Sequence, residues 1–364
     1  MGELSGDWSK AGGGVRLGLK SNQQRARIMS ITPRKLGPET VYPVGLGCMN
    51  LHHGYGPPSD EAEAAALLNE ALDMGYDFLD TATIYGFGKN ETLIGKALKD
   101  RQGEFVQASK CVMLFEDGKR KLDARPESIK AACEASLKRL QRETIDLYYM
   151  HRPDRKVPIE DSMGAMADLV AEGKIRMVGL SEMGAGLLRR AHAVHPVTAM
   201  QSEYSLLTRN PEIAVLDACK ELGVTFVPFS PVGRGYLADN PPAPKDYHEV
   251  DMRRIFPRWT EPYWTENLPL LKQAQEMAGD LGVTTSQLAI AWTLVKEPDC
   301  VPIPGTTNRK HLRDNFKAAE LELTEEQMAL LDNVFQPEAV KGPRYNAMAQ
   351  ASVDTEQYAF ETEA

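Results

Sequence analysis

At 364 residues the chain can bury a large core, and because α/β barrels of about 250 residues or more fold as one domain, length alone does not force a second. A net charge of −9, with no long basic block or aromatic-interleaved basic stripe, argues against nucleic acid as a partner, and no apolar run approaches the roughly 18–20 residues of a membrane span. The five cysteines, odd in number, widely spaced and without a CxxC pair, read as free thiols of a reducing, cytoplasmic compartment with neither a disulfide framework nor a structural zinc.

Residues 1–28 carry the run Gly12-Gly13-Gly14, several basic residues and no apolar h-region. They read as a disordered N-terminal extension and not as a secretory signal. The body is expected over residues 29–340, and the polar, aperiodic stretch 341–364 as a C-terminal arm or tail over it. After Met29, "RKLGPETVYPVGLG" reads as a hairpin with a Gly-Pro turn leading into a first strand at Val44–Gly47. "EAEAAALLNEALDMG" follows as a helix, capped by Ser59 or Asp60 and ended by Gly75. The same unit then recurs. "YDFLD" precedes the helix "NETLIGKALKD", "EFVQASK" precedes "RPESIKAACEASLKRLQ", and "DLYYMH" precedes "IEDSMGAMADLVAEG". "IRMVGLS" precedes "GAGLLRRAHAVH", and "VTAMQSEY" precedes "PEIAVLDACKELG". "VTFVPFS" precedes a long loop and helices on either side of residue 282, and "CVPIPG" precedes "RKHLRDNFKAAE".

These are eight short strands alternating with helices, which implies parallel pairing. The expected fold is an α/β (β/α)8 TIM barrel with an N-terminal β-hairpin and long loops at the C-terminal face. An open doubly wound sheet is the alternative, disfavoured because "GLGCMNL" lacks the Gly-rich turn a Rossmann unit needs at its first helix.

The apolar strands end on polar residues of unlike chemistry: Asp80, Lys110, His151, Ser181, Gln201 and Ser230. Parallel barrel strands bring their C-terminal ends to one mouth, where barrel enzymes keep their active sites. Five residues beyond Asp80 stands Tyr85. A lysine ammonium beside a phenol favours phenolate, and a carboxylate behind the lysine holds it charged. Asp80, Lys110 and Tyr85 therefore suit a proton relay, with His151 able to donate to a bound carbonyl oxygen. Each has a plain reading alone: helix cap, loop packing, surface charge, hydrogen-bonding histidine. Their joint placement at the ends of strands two, three and four carries the functional one.

With "DTATIYG", "ASK", "LYYMHRP", "VGLSE", "MQSEYSLL", "VPFSPVGRG" and "PIPGTTNRKHLRDN" in order across residues 30 to 320, the chain resembles the aldo-keto reductases, in particular a bacterial-type subgroup. The resemblance implies that Asp80, Tyr85, Lys110 and His151 form the catalytic tetrad of an NAD(P)H-dependent oxidoreductase. Such an enzyme reduces an aldehyde or ketone to an alcohol, reversibly, with Tyr85 as general acid or base. It further implies that Ser181 and Gln201 bind the nicotinamide carboxamide near Asp80, and that Phe229 stacks on the ring where many members have tyrosine. Ser230, Val232, Gly233 and Arg234 would follow the pyrophosphate, Arg234 with charge-assisted bonds. Gly47, Met49, Pro304, Gly305, Thr306, Thr307, Asn308, His311, Asp314 and Asn315 complete the implied cofactor set, the last group at a helix start suited to the adenosine phosphate. Glu182 stands where the family often has asparagine. NADPH (NADP+) is the implied cofactor, but many NADPH-using relatives carry lysine or arginine at or near Thr307. This chain has Thr307 and Asn308 there, followed by Arg309 and Lys310, so a weaker phosphate grip and either dual NADPH/NADH use or a modest NADPH preference is expected.

Met49, Tyr55, Phe115 and Arg152 are the expected substrate-pocket residues. The loop Tyr236–Trp264, with Tyr247, Phe256, Trp259, Tyr263 and Trp264, suits a lid for a bulky or cyclic small-molecule carbonyl, or else packing on its own barrel. Monomer and homo-oligomer stay equally open. One rival reading is a nucleotide-binding regulatory subunit resembling the family's channel-associated members. Another is a metal-dependent barrel using His52, His53, His192 and His195, against which stands the lack of a carboxylate–histidine set at several strand ends; no metal ligands are assigned.

Overall fold

The computed structural model describes residues 31–52, 54–116 and 119–362. The reading of residues 1–28 lies outside them. The chain opens with an antiparallel hairpin of β1 (Arg34–Leu36) and β2 (Glu39–Val41), turned at Gly37 with φ +59°. Then follow β3 (Leu46–Gly47), α1 (Glu61–Met74), β4 (Phe78–Asp80), α2 (Lys89–Ala97) and β5 (Val106–Cys111). A second antiparallel pair, β6 (Met113–Glu116) and β7 (Lys119–Leu122), interrupts the alternation. It resumes with α3 (Pro126–Leu140), β8 (Ile145–Met150), α4 (Ile159–Ala171), β9 (Ile175–Ser181), α5 (Ala185–Val194), β10 (Ala199–Glu203), α6 (Val215–Leu222) and β11 (Thr225–Phe229). After a long loop come α7 (Tyr263–Glu266), α8 (Leu268–Leu281), α9 (Thr285–Lys296), α10 (Arg309–Lys317) and α11 (Glu325–Val334).

The local chemistry accounts for the helix ends. Asp60, not Ser59, caps α1, accepting from the backbone N–H groups of Ala62 and Glu63, and Gly75 closes it at φ +104°. Pro126 occupies the first turn of α3, where its missing N–H costs nothing. Capping boxes, Thr284 with Gln287 and Thr324 with Gln327, start α9 and α11.

Seven parallel strands run in the order β11-β10-β9-β8-β5-β4-β3. Residues 301–305 close the ring as the eighth. Val301 and Ile303 donate to the carbonyls of Phe226 and Pro228, and the carbonyls of Pro302 and Pro304 accept from Gly45 and Gly47. This segment forms only isolated bridges, Phe229 with Ile303 and Gly47 with Gly305, because its two prolines offer no N–H toward β3. The barrel is therefore a (β/α)8 barrel, as the alternating sequence predicts.

Two apolar layers result. Leu36, Val41, Phe78, Ala108, Leu147, Tyr149, Met177, Ala199, Val227, Val301 and Ile303 fill the barrel interior, so the N-terminal hairpin plugs the bottom. The alternate strand residues, among them Leu79, Tyr148, Val178, Leu180, Met200 and Phe226, face the helices. Among the described residues no helix is long and apolar enough to cross a membrane.

Candidate active site

Strand periodicity positions the site. Phe78, Ala108, Tyr149, Ala199 and Val227 point into the barrel, and two residues on, at the same inward face, come Asp80, Lys110, His151, Gln201 and Phe229. Ser181 follows Met177 and Gly179 by the same step, and a Cβ at Gly179 would meet the Tyr149 ring at 2.3 Å. The polar residues thus form the uppermost layer of the barrel interior and open into a cavity of about 700 Å³ at the C-terminal face.

Lys110 is fully buried and its ammonium bonds three ways: to Asp80 Oδ1, to the Thr81 carbonyl at 2.9 Å and to Tyr85 Oη at 3.4 Å. Gln201 Nε2 donates to the other carboxylate oxygen of Asp80 at 2.9 Å, which fixes the acid from both sides. Tyr85 lies in the turn between β4 and α2, and the His151 ring meets its ring edge-on at 5.8 Å between centroids. Gly86 beside it has φ +55°, and a Cβ there would meet His52 Cβ at 2.7 Å, so this turn is set by close packing. Burial pushes the Lys110 pKa down, but Asp80 and Tyr85 more than offset it, and the net direction is upward. The Tyr85 hydroxyl corrects the sequence expectation of a net lowering. Burial raises its pKa more than Lys110 lowers it, and Asp80 adds to the rise, so the phenol stays protonated through neutrality.

The cofactor-side residues separate into groups. Gly47, Met49, Asp80, Ser181, Gln201, Phe229, Ser230 and Val232 line the cavity, as do Pro304, Gly305, Thr306, Thr307, Asn308 and His311. Gly305 lies so close to β3 that a Cβ would meet the Gly47 carbonyl at 2.7 Å and Asn50 Oδ1 at 2.8 Å. Arg234 departs from its expected role. It reaches the cavity wall, but its guanidinium is buried against Glu203 at 2.7 Å and donates to Tyr345 Oη at 3.1 Å, so its charge is already matched. Gly233 is not on the wall; its carbonyl accepts from the Trp259 indole at 3.0 Å. At the start of α10 the Asn308 side chain takes the backbone N–H groups of Lys310 and His311, leaving fewer amides for an anion than expected. Asp314 and Asn315 lie a turn further along, off the cavity wall, with Asp314 held by Lys310 at 2.7 Å.

Of the expected substrate residues, Met49, Tyr55 and Arg152 line the cavity. Phe115 does not: it is exposed and packs on Phe87, ring centroids 4.1 Å apart. Tyr247, Phe256 and Trp259 are buried, and of these only Phe256 reaches the cavity, so the aromatic loop packs chiefly on its own barrel.

The sequence reading missed wall residues next to Tyr85 and in the β6–β7 pair, Ile84, Met113, Arg120 and Leu122, and others from the C-terminal segment, Tyr345, Met348 and Ser352. Glu182, at φ +54° after β9, explains how that segment is held. Its carboxylate is buried against Arg344 at 2.9 Å and accepts the Glu203 N–H at 3.0 Å. Asp354 N–H bonds the Glu182 carbonyl at 2.9 Å, and Glu356 takes the Ala185 N–H at 2.7 Å. Glu182 thus anchors the C-terminal segment.

The aldo/keto reductase family model matches residues 43–336. An aldo-keto reductase of Schizosaccharomyces pombe, yakc, whose name carries NADP(+), is 42% identical over 324 residues, 87% of this chain and 95% of the relative. Among solved structures, the thermostable aldo-keto reductase Tm1743 in complex with epalrestat superposes with a TM-score of 0.68 at 32% identity, over 84% of this chain and 100% of the other. An aldo/keto reductase from Klebsiella pneumoniae in complex with NADP and acetate gives a TM-score of 0.65 at 25% identity, over 84% and 95%. This chain belongs to the aldo/keto reductase family.

Proposed function

We propose that this protein reduces an aldehyde or ketone to the corresponding alcohol with NADPH, reversibly, Tyr85 delivering the proton to the carbonyl oxygen. The observation that carries this reading is the Lys110 ammonium, bonded to both Asp80 and Tyr85, with His151 against the same phenol at the barrel mouth. The NADP named in the yakc relative and in the Klebsiella pneumoniae complex supports the choice of cofactor.

The donor set suits a nicotinamide dinucleotide. Ser181 and Gln201 present a hydroxyl and an amide beside the Phe229 ring, and Gly305 allows close approach of backbone. NADPH, when bound, supplies hydride to the carbonyl carbon. Ser181, Gln201 and Phe229 would hold the nicotinamide end; Ser230 and Val232, and Gly305 through His311, would hold the rest. The carbonyl oxygen is received by the Tyr85 hydroxyl and His151. As charge grows on that oxygen, Tyr85 gives up its proton, and Lys110 stabilises the phenolate left behind. Asp80 keeps Lys110 charged in a site where an unpaired ammonium is costly. Proton return from solvent restores the phenol.

Preference between the two reduced cofactors is expected to be modest. Lys310 is bonded to Asp314, and Arg309 to Glu70 at 3.2 Å, so the basic side chains nearest Thr307 are already engaged. The test is Tyr85→Phe, assayed by loss of NADPH absorbance over a panel of aldehydes and ketones. Turnover is expected to fall by about 10²–10⁴-fold, with NADPH binding, read by fluorescence, close to wild type. Ordinary turnover in this variant would sink the assignment.

A further inference from the structure

The cavity wall on the substrate side carries cations that the catalytic relay does not use. Of the buried carboxylates at or behind that wall, Asp80 is matched by Lys110, Glu203 by Arg234 and Glu182 by Arg344. Arg152 comes in addition. It directly follows the catalytic His151, and its Nη1 donates to the His151 carbonyl at 2.6 Å and to Ser181 Oγ at 3.4 Å. Those two bonds fix the guanidinium on the cavity wall beside the proton-donating pair. They leave Nε and Nη2 without a hydrogen bond, and no carboxylate lies within ion-pair distance of Arg152 among the described residues. Nε and Nη2 are the edge of a guanidinium that grips a carboxylate with two parallel bonds.

The β6–β7 hairpin supplies a second cation to the same cavity wall, Arg120. Arg120 is exposed by its accessible surface, although partial burial and the charge of Arg152 both push its pKa down, with Tyr345 and Tyr85 opposing. Arg120 and Arg152 thus line one cavity with Tyr85, within electrostatic reach of one another. An anion held by Arg152 would also feel the attraction of Arg120. The pyrophosphate of a dinucleotide is assigned elsewhere, near Ser230 and Gly305, so it is not this anion.

We infer that the preferred carbonyl substrate carries a carboxylate a few bonds from the reacting carbon, gripped by Arg152 through Nε and Nη2, with Arg120 adding to the attraction. This rests on the carbonyl reduction proposed above. The carboxylate is a handle only. The C=O π bond is replaced by a C–H bond from the NADPH hydride and an O–H bond from the Tyr85 proton, and the acid group leaves unchanged.

The test uses aldehydes of one skeleton: 2-, 3- and 4-carboxybenzaldehyde, each against its methyl ester, with NADPH and the full chain. At least one acid is expected to exceed its ester in kcat/KM by about ten- to a hundredfold, the range of a charge-assisted pair. Arg152→Gln is expected to cancel most of that ratio through KM, and Arg152→Lys to restore part of it. Arg120→Gln lowers the ratio less, and rising NaCl weakens the acid more than the ester. Equal kcat/KM for all acids and esters in the wild type would overturn the inference alone. A ratio that survives in both Arg152→Gln and Arg120→Gln would do the same. If instead no carbonyl of either kind is turned over, the reductase reading falls and this inference with it.

Discussion

Two buried ion-pair clusters flank the cavity, and they differ in what they leave uncommitted. In the first, Asp80 and Lys110 neutralise each other, and the third partner, the Tyr85 hydroxyl, sits on the cavity wall. In the second, Glu182 and Glu203 are bonded by Arg344 and Arg234, and the one phenol among them, Tyr345, is spent accepting from Arg234. Both clusters meet the cost of burying charge by pairing it. The first transmits that pairing to a proton that a ligand can take. The second ties the ends of β9 and β10 to a segment 162 residues beyond Glu182, and its chemistry ends there. Burial and pairing alone therefore do not mark a reactive group. An atom left facing the cavity does.

The largest effect expected from breaking this contrast is at Lys110. Lys110→Met removes the cation that stabilises a Tyr85 phenolate, and kcat for carbonyl reduction is expected to fall by about 10²–10⁴-fold, read in single-turnover mixing with NADPH. The pH profile follows from the Tyr85 pKa, which lies above that of a free phenol, near 10. Reduction needs the protonated form, so its rate should hold through neutrality and decline only above about pH 10. The reverse oxidation needs the phenolate and should rise toward that value. Lys110 lowers the pKa, so in Lys110→Met the decline should move further up. A variant with kcat within about tenfold of wild type would remove Lys110 from the relay.

The matching change in the second cluster should act on stability instead. Arg344→Gln leaves Glu182 short of its main partner, and breaking a buried pair costs about 3–5 kcal/mol, measurable by urea unfolding. KM for carbonyls should rise, because Tyr345 and Met348 line the cavity, with kcat changed by less than about tenfold. Acid titration gives a second reading. Burial raises the Glu182 pKa, but Arg344 and Arg152 outweigh it, and the folded value is lowered from 4.5. A group lowered on folding contributes stability that is present above its unfolded pKa and is lost as pH falls through the folded one. The wild type should thus lose stability below about pH 4.5, and Arg344→Gln should show a shallower slope there. A steeper slope would place the stabilisation elsewhere.

The same contrast explains what was legible in the sequence. Asp80, Lys110, His151 and Gln201 are each two positions beyond an apolar residue of a short strand, a period-2 signal that any parallel barrel converts into a shared mouth. Ser230 is polar at a strand end too, but it follows inward-facing Phe229 by one step and reaches the wall through φ +53°. Arg234 could be read only as a cation after a strand, because its partner Glu203 lies on another strand and no spacing joins them. Nothing in "RYNAM" announces that Arg344 and Tyr345 return to the barrel mouth, since aperiodic chain carries no pattern for where it packs. For the β6–β7 pair the sequence does carry a signal: the dipeptide Asp117-Gly118 between two short runs favours a hairpin turn. The hairpin carries Arg120 to the cavity wall and leaves Phe115 off it.

A third charge group, exposed where the other two are buried, gives the smallest effect. Glu70 on α1 bonds Arg309 at 3.2 Å and also Arg313, both on α10 and both about half exposed. Exposed pairs of this kind are worth about 0–1 kcal/mol, so Glu70→Gln should leave folding stability nearly unchanged. It should, however, release Arg309 beside Thr307 and Asn308, where the 2′-phosphate that separates NADPH from NADH would lie. The ratio of kcat/KM for NADPH over NADH is then expected to rise about two- to fivefold at low ionic strength and to return toward wild type in high salt. Arg309→Gln should move the ratio the other way. If the ratio stays fixed in both variants, α10's first turn is a solvated surface, and discrimination between the cofactors comes from groups that carry no charge.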